Sequence, residues 1–375
     1  RTKSLAGAKR INLETGEFDL SVGLANTHVY RHAGRIFALE EASHPNEVSP
    51  ELDTLGVYDF DGRLNTPFTA HPHTCPDTGE MHFFGYELVH APFVTYHVAD
   101  REGRLVHSQP IEVGGPTMVH DFAISRNYAI FLDLPVVFDI EMALTGTMPF
   151  RWDPAYGARI GLLHRGRARE GAQPIWFDIP LCYVFHIMNA WDDGAPGGDA
   201  RFVWLDAGRH ASMWDGGPDK FEPCMLHRWR FDLQTGTVHE EQLDDVSHAF
   251  PRIDDRRTGF ANRYGWGVAP RNGSRDEMDA PTVIAKWDLV TGNRTVHDFG
   301  PTCTTGEPVF VPVSQAATED EGYLVTFVHD ASDDSSRFVV LDASDMGNEP
   351  LAVVPLPQRV PHGFHGSWFA DEQGE

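Results

Sequence analysis

The chain has 375 residues, and its 55 aspartates and glutamates outnumber its 30 lysines and arginines, which gives a formal net charge of −25 at pH 7. Such an acidic surface repels phosphate backbones and anionic lipid, which excludes nucleic-acid partners and a helix held on the membrane by basic residues. Hydrophobic residues make up 41% of the chain, enough for a core and too many for a disordered protein. The length alone predicts two domains or one large repeat architecture.

Cysteine usage and the absence of long apolar runs indicate the compartment. The four cysteines lie far apart and form no CxxC pair, which argues against a cysteine zinc site and against a disulfide framework. The first residues lack the apolar segment of a signal peptide, and no run of about 18 apolar residues occurs. We therefore predict a cytoplasmic protein. Because the chain does not begin with methionine, we expect it to start inside a longer product.

Short strand-like runs that end in a glycine-containing turn follow one another along the chain. They reach their turns at Gly16, Gly62, Gly103, Gly236 and Gly292. Aspartate or asparagine starts such turns and glycine supplies a positive φ, so each run predicts a hairpin. Gly16, Gly62 and Gly103 are separated by 46 and 41 residues, and Gly236 and Gly292 by 56. Such a loose repeat of hairpins is typical of four-stranded propeller blades. We predict an all-β protein with one propeller domain over residues 1–375, and a pair of β-sandwiches is the alternative.

The chain contains 20 histidines, and four of them lie in segments with small or apolar neighbours: His71, His120, His186 and His365. A buried imidazole needs a polar partner, and a metal ion is one way to supply it. These four are far apart in sequence and could meet only if each came from a different blade and pointed to the propeller axis. From the residues alone, a shared metal and four separately satisfied core histidines remain equally open.

Seven motifs, taken together and in order, resemble the carotenoid cleavage oxygenase family, and the resemblance extends to about Trp368. They occupy residues 70–72, 119–122, 185–191, 250–252, 306–312, 319–323 and 363–366. The resemblance, to a bacterial-type member, implies a seven-bladed β-propeller with loops that form a cap over an iron centre. It also implies one Fe(II) per chain, held by His71, His120, His186 and His365. The family's N-terminal segments have no counterpart here, so we expect part of the propeller to precede residue 1.

The same resemblance assigns glutamates that accept the second ring N–H of the ligands, and it identifies Glu41 and Glu307 in that role. A third glutamate usually precedes the Phe-Pro-Arg motif, but this chain has Ala249 there, after His248. One ligand, for which His186 is the candidate, would then lack its carboxylate. Either His248 or water replaces the carboxylate, or metal affinity falls by something like the 10- to 100-fold typical of such losses.

The family reaction inserts O2 across a conjugated C=C bond and gives two carbonyl products. The resemblance therefore implies an apolar conjugated substrate, O2, and an apolar tunnel. Aromatic residues near the motifs are candidates to line it: Phe122, Phe185, Trp191, Phe310, Phe364 and Trp368. For each of them, a place in the propeller core is the other interpretation.

The family contains members for two candidate substrate classes, and a protein without catalytic activity is a third possibility. Stilbene-cleaving members carry a lysine just before the first assigned glutamate, whereas this chain has Glu40. An acid cannot replace an ammonium donor, so we expect a carotenoid or apocarotenoid. A non-catalytic polyene-binding propeller is the alternative from another class.

Substrate uptake from a bilayer would need an exposed apolar patch and a peripheral membrane contact. Residues 134–138 are a candidate for this patch, and a buried strand is the equally open interpretation of the same residues.

Overall fold

The structure, a computed structural model, describes residues 19–145, 147–217, 220–272, 281–313 and 318–370. The chain divides into two compact units. The first runs to Thr74 and includes Thr78–Pro116, and the second contains Cys75–Asp77 and resumes at Thr117. The hairpin predicted around Gly16 lies outside the described residues.

The first unit contains two four-stranded antiparallel sheets, each with its strands in sequence order. One sheet comprises β1 (His28–His32), β2 (Arg35–Leu39), β3 (Asn46–Val48) and β4 (Thr54–Val57). The other comprises β5 (His73–Thr74), β6 (Met81–Tyr86), β7 (Val94–Ala99) and β8 (Leu105–Ile111). The core of this unit includes Phe60, Phe68 and Phe83, and the Phe68 and Phe83 rings stack at 4.2 Å.

The second unit begins with a sheet that is interrupted by an excursion. The sheet has the order β14-β13-β10-β9. Its strands are β9 (Ala123–Ile124), β10 (Tyr128–Asp133), β13 (Arg159–His164) and β14 (Ile175–Asp178). The excursion contains β11 (Val136–Phe138), helix α1 (Ile140–Leu144) and β12 (Phe150–Trp152), and a short helix α2 (Arg165–Ala168) follows β13.

Three more antiparallel sheets complete the second unit. The first contains β15 (Tyr183–Asp192), β16 (Phe202–His210), β17 (Cys224–Asp232) and β18 (Thr237–Gln242). The next contains β19 (Ala249–Arg252), β20 (Tyr264–Pro270), β21 (Thr282–Asp288) and β22 (Asn293–His297). The last contains β23 (Cys303–Thr305), β24 (Val309–Pro312), β25 (Gly322–Asp330), β26 (Ser335–Asp342) and β27 (Ala352–Pro355). Single-turn 3-10 helices lie at Pro154–Tyr156 and Asp255–Arg257.

The prediction of an all-β propeller is confirmed, because sheet follows sheet in the four-stranded antiparallel pattern of propeller blades. The turn glycines behave as expected: Gly103, Gly236 and Gly292 have φ values of 82°, 69° and 72°. The number of blades differs from the seven implied by the family resemblance. The described residues supply strands for six sheets of four or five strands, besides the small β11–β12 pair.

Residues 134–138 do not form the exposed apolar patch for which they were a candidate. Leu134, Val136 and Val137 are buried, because they pack into the core of the second unit or beside it. Exposed apolar side chains occur next to them on α1, where Ile140 and Leu144 are 51% and 81% exposed. No helix in the described part of the chain is long and apolar enough to cross a membrane.

His97 belongs to none of the sequence motifs and is buried in the first unit. His97 on β7 is fully buried, and its ring stacks on Phe83 at 4.9 Å. Its Nε2 lies 2.9 Å from Thr66 Oγ1, and its Nδ1 lies 2.8 Å from Ser108 Oγ. Burial and, to a smaller extent, the nearby His107 lower the pKa of His97 to about 3. His97 is therefore a neutral core residue at physiological pH.

His97 should make the protein less stable in mild acid. The unfolded chain takes up the proton near pH 6.5, so the contribution of neutral His97 is complete above that pH and is lost as the pH falls toward 3. From pH 7 to pH 5 the loss is about 2 kcal/mol. We expect His97→Gln to remove this part of the pH dependence in urea titrations. The exposed control His239→Gln should keep it, and equal pH dependence of wild type and His97→Gln would contradict the assignment.

Candidate metal centre

Four different segments carry the four motif histidines. His71 lies between β4 and β5, and His120 lies in the loop that leads into β9. His186 is on β15, and His365 is in the irregular segment after β27. Three of the four histidines are on loops, where backbone geometry is not fixed by a strand ladder. The local hydrogen bonds of each segment therefore determine where each ring points.

The described residues contain one group of side chains that could hold a metal ion, and its members are the four histidines predicted from the sequence: His71, His120, His186 and His365. Each offers one ring nitrogen, and these nitrogens all lie within 4.8 Å of one another. All four side chains are partly buried. Residues that are distant in sequence thus present their donor atoms to one small volume, as a metal site requires.

Two of the rings face each other closely. The Nε2 atoms of His120 and His186 are 3.3 Å apart, and the ring centroids are 5.1 Å apart at 71°. The His365 ring lies 4.9 Å from the His186 ring. Burial lowers the pKa of His186 well below its ordinary value, and the neighbouring His365 and His120 lower it further. His186 is therefore neutral at pH 7, which is the form that binds a metal.

A carboxylate fixes the tautomer of His365. Glu307 is 8% exposed, and its Oε1 lies 3.0 Å from His365 Nδ1. Its Oε2 accepts hydrogen bonds from the Gly366 N–H at 2.8 Å and from Arg252 Nη1 at 2.9 Å. Burial by itself would raise the pKa of Glu307, but Arg252 and the His365 and Gly366 hydrogen bonds outweigh it and hold the pKa at about 2. Because ionised Glu307 only accepts, Nδ1 donates and the lone pair of His365 remains on Nε2.

Aromatic rings form walls beside the histidines. Phe185 lies 5.3 Å from the His120 ring, edge-on. Phe250 lies 5.4 Å from the His186 ring and 5.5 Å from the His365 ring. Phe250 has a φ of 52°, at a register shift between Ala249 and Arg252. This left-handed conformation is costly for a bulky residue and is often found at functional sites. The Phe-Pro-Arg motif marked this segment, but its contact with the ligands was not predicted.

The other candidate tunnel residues have varied surroundings. Phe122 and Phe310 are buried and stack on Phe131 and Trp266. Trp191 stacks on Trp204 at 5.9 Å. Phe364 and Trp368 are 55% and 51% exposed, as measured on the described residues. Phe185 contacts the His120 and His186 rings, and the tunnel role of the whole set stays a prediction.

Two segments were expected to supply carboxylate partners for the histidines: the one that contains Glu41 and the one in which Ala249 replaces a glutamate. Glu41 is partly buried in the bend after β2, and its role toward a ligand stays a prediction. His248 does not replace the missing glutamate by a hydrogen bond. Neither of its buried ring nitrogens has a hydrogen-bond partner, and the ring packs against Trp287 at 5.3 Å. Burial lowers the pKa of His248 to about 4, so it is a neutral core residue.

The donor set fits a divalent transition metal. Imidazole nitrogen suits iron, copper, zinc and nickel, whereas calcium and magnesium prefer oxygen. His186 is neutral because it is buried, and the hydrogen bond from Nδ1 to Glu307 makes Nε2 the ring atom of His365 that would bind a metal. A shared cation would satisfy ring nitrogens that face one another in a poorly solvated place. The fold and site together define a propeller protein with a histidine cluster that could hold a metal ion.

Comparison with known proteins agrees with this class. The family model described as retinal pigment epithelial membrane protein matches residues 11–370. A carotenoid cleavage oxygenase of Mycobacterium tuberculosis is 36% identical over 391 residues, which cover 92% of this chain and 77% of that protein. The chain therefore belongs to the carotenoid cleavage oxygenase family, and it is an oxygenase-type enzyme.

Solved structures show the same relationship. Cobalt-substituted Synechocystis apocarotenoid oxygenase superposes with a TM-score of 0.81 at 27% identity, over 93% of this chain and 75% of that chain. A lignostilbene dioxygenase of Pseudomonas brassicacearum gives a TM-score of 0.82 at 28% identity, over 94% and 77%. The family predicted from the seven motifs is thus confirmed, and both substrate classes considered from the sequence occur among its structural neighbours.

The ion pair between Glu307 and Arg252 should be important for stability. The two side chains are 3% and 14% exposed, so Glu307→Ala leaves a buried guanidinium without its main counter-ion. We expect a loss of about 3 kcal/mol in unfolding free energy. The control is Glu47→Ala, because the pair of Glu47 with Arg35 is more exposed and should be worth under about 1 kcal/mol. Denaturant titrations measure both, and equal losses would contradict the proposed importance of burial.

Proposed function

We propose that this chain is an Fe(II)-dependent dioxygenase that cleaves one conjugated C=C bond of a carotenoid or apocarotenoid. One alkene and one O2 give two carbonyl products, so the reaction needs no external reductant. The observation that carries the proposal is the convergence of four imidazole nitrogens within 4.8 Å. His71, His120, His186 and His365 would hold one iron, without a carboxylate ligand. When bound, Fe(II) supplies the one-electron chemistry through which triplet O2 can react with a closed-shell polyene.

The residues around the ligands keep them in the binding form. Glu307 orients His365 and fixes its tautomer, and Arg252 holds Glu307 ionised. The rings of Phe185 and Phe250 pack beside His120 and His186 and present apolar surface next to them. An apolar wall also suits a polyene, which offers π-electrons and no hydrogen bonds. Glu41 is proposed to orient a further ligand, as the family motif implies.

The identity of the substrate is the finer part of the proposal. A lignostilbene dioxygenase is among the structural neighbours, so hydroxystilbenes are the second candidate. The family's stilbene-cleaving members have a lysine where this chain has Glu40, which is 8% exposed. A buried acid cannot provide the ammonium donor, and this favours the carotenoid class. The exposed Ile140 and Leu144 on α1 support a peripheral contact with a bilayer as the route by which such a substrate arrives.

Aldehyde formation from two substrate panels tests the function and the substrate order together. Iron-supplemented protein is incubated with carotenoids and apocarotenoids and, separately, with hydroxystilbenes, and the products are identified by mass. We expect O2-dependent aldehydes from the first panel. Cleavage of hydroxystilbenes alone would reverse the substrate order. Polyene binding without any aldehyde, by a protein that contains iron, would overturn the enzymatic proposal in favour of a binding protein.

The variant His120→Ala tests the ligand assignment in the same assay. Removing one of four ligands should abolish turnover and reduce the iron content below half of the wild-type value. The matched control is His239→Ala, because His239 is exposed on β18 and belongs to no metal-binding group in the described residues. Full iron content and turnover in His120→Ala would show that the ligand set is assigned wrongly.

A further inference from the structure

We propose that Asp121 is the positioning residue that fixes His120 and His186 relative to each other. This inference rests on the proposed metal site and assigns one of its determinants. Asp121 directly follows His120 in the sequence and is 3% exposed. Its side chain is not one of the metal-binding candidates. Its carboxyl group instead connects the backbone segments that carry the two ligands.

The hydrogen bonds of Asp121 define that connection. Oδ1 accepts from the N–H of Phe122 at 2.8 Å, which ties the side chain to its own loop. Oδ2 accepts from the N–H of Ile187 at 2.8 Å, 66 residues further along the chain. Ile187 directly follows His186. Asp121, which follows His120, thus binds the backbone N–H of Ile187, which follows His186.

The strand around His186 explains why such a connection is needed. The pairing of β15 with β16 shifts register between Val184 and Ile187, and shifts again between Ile187 and Asn189. Bulges of this kind disturb the ladder and redirect side chains, and they occur frequently beside active sites. A buried N–H without an acceptor costs about 1 to 3 kcal/mol. Asp121 supplies an acceptor to the N–H at the middle of the irregular stretch, and so stabilises the backbone conformation that directs His186.

The geometry at the ligands shows what the connection controls. The Nε2 atoms of His120 and His186 are 3.3 Å apart, although their segments are not neighbours in sequence. A site that is looser by about 1 Å loses function, because its supporting groups no longer hold the reactive geometry. Without the Asp121 hydrogen bond to Ile187, the loop and the bulge could move independently. The distance between two ligand atoms would then no longer be fixed before metal binds.

The chain offers a matched control on the same strand. Asp192 ends β15 and connects it to the turn between β9 and β10. Its Oδ2 accepts from Ser125 Oγ at 2.6 Å and from the Asn127 N–H at 2.9 Å, and its Oδ1 accepts from Asn127 Nδ2 at 2.7 Å. Asp192 is thus a carboxylate clamp between the same two regions of chain, six residues beyond His186. A general structural effect of losing a clamp should appear in both variants.

The test compares Co(II) binding by wild type, Asp121→Asn and Asp192→Asn, with Co(II) alone as the probe. Co(II) is titrated into metal-free protein, and the dissociation constant and visible absorption spectrum are recorded together with the thermal midpoint. We expect Asp121→Asn to weaken Co(II) binding by about 10-fold or more and to alter the spectrum. Asp192→Asn should bind Co(II) within about 2-fold of wild type and give the wild-type spectrum. This should hold even if its thermal midpoint falls as far as that of Asp121→Asn.

Three results would overturn the role of Asp121. They are wild-type affinity and spectrum in Asp121→Asn, equal loss of affinity in both variants, and loss of the β-sheet circular dichroism in Asp121→Asn, which would make the carboxyl a folding determinant instead. A wild-type protein that binds no Co(II) would instead refute the metal site itself, so the two failures are distinguishable.

Discussion

The cost of placing unprotonated imidazoles together in a poorly solvated site is the constraint on which the centre depends. Ring nitrogens that face one another need a shared proton, a water molecule or a metal ion. Protonation is unfavourable for His186, whose pKa lies well below its ordinary value because of burial and because of the neighbouring His365 and His120. A divalent cation would relieve this conflict, because it would bind the neutral form of every ligand at once.

The surrounding residues make this arrangement possible through backbone irregularity. His186 lies in a doubly shifted part of β15, and Phe250 reaches the ligands from a left-handed position in β19. Regular strands would send alternate side chains to opposite faces and could not place these groups so freely. Buried acceptors then hold the irregular backbone: Glu307 binds the Gly366 N–H, and Asp121 binds the Ile187 N–H. The regular sheets supply the rigid support from which these departures are made.

Much of this could be predicted from the sequence. Turn glycines such as Gly103 and Gly236 mark hairpins because positive φ is a local requirement, and they gave the all-β class. The four histidines and Glu307 were found through their motifs. The connection made by Asp121 was not, since it depends on a register shift that no short pattern reveals. The contacts of Phe250 were not predicted either. The position of His248 next to Ala249 suggested that it replaces the missing glutamate, but the His248 ring packs against Trp287 instead.

The central claim is that one iron is held by imidazoles alone, and the most direct measurement is X-ray absorption at the iron edge of the iron-supplemented protein. The account predicts one iron per chain, with four imidazole nitrogens in the first shell and the characteristic outer scattering of histidine rings. A protein without iron, or an iron whose first shell contains two or fewer imidazoles with carboxylate oxygens in their place, would contradict it.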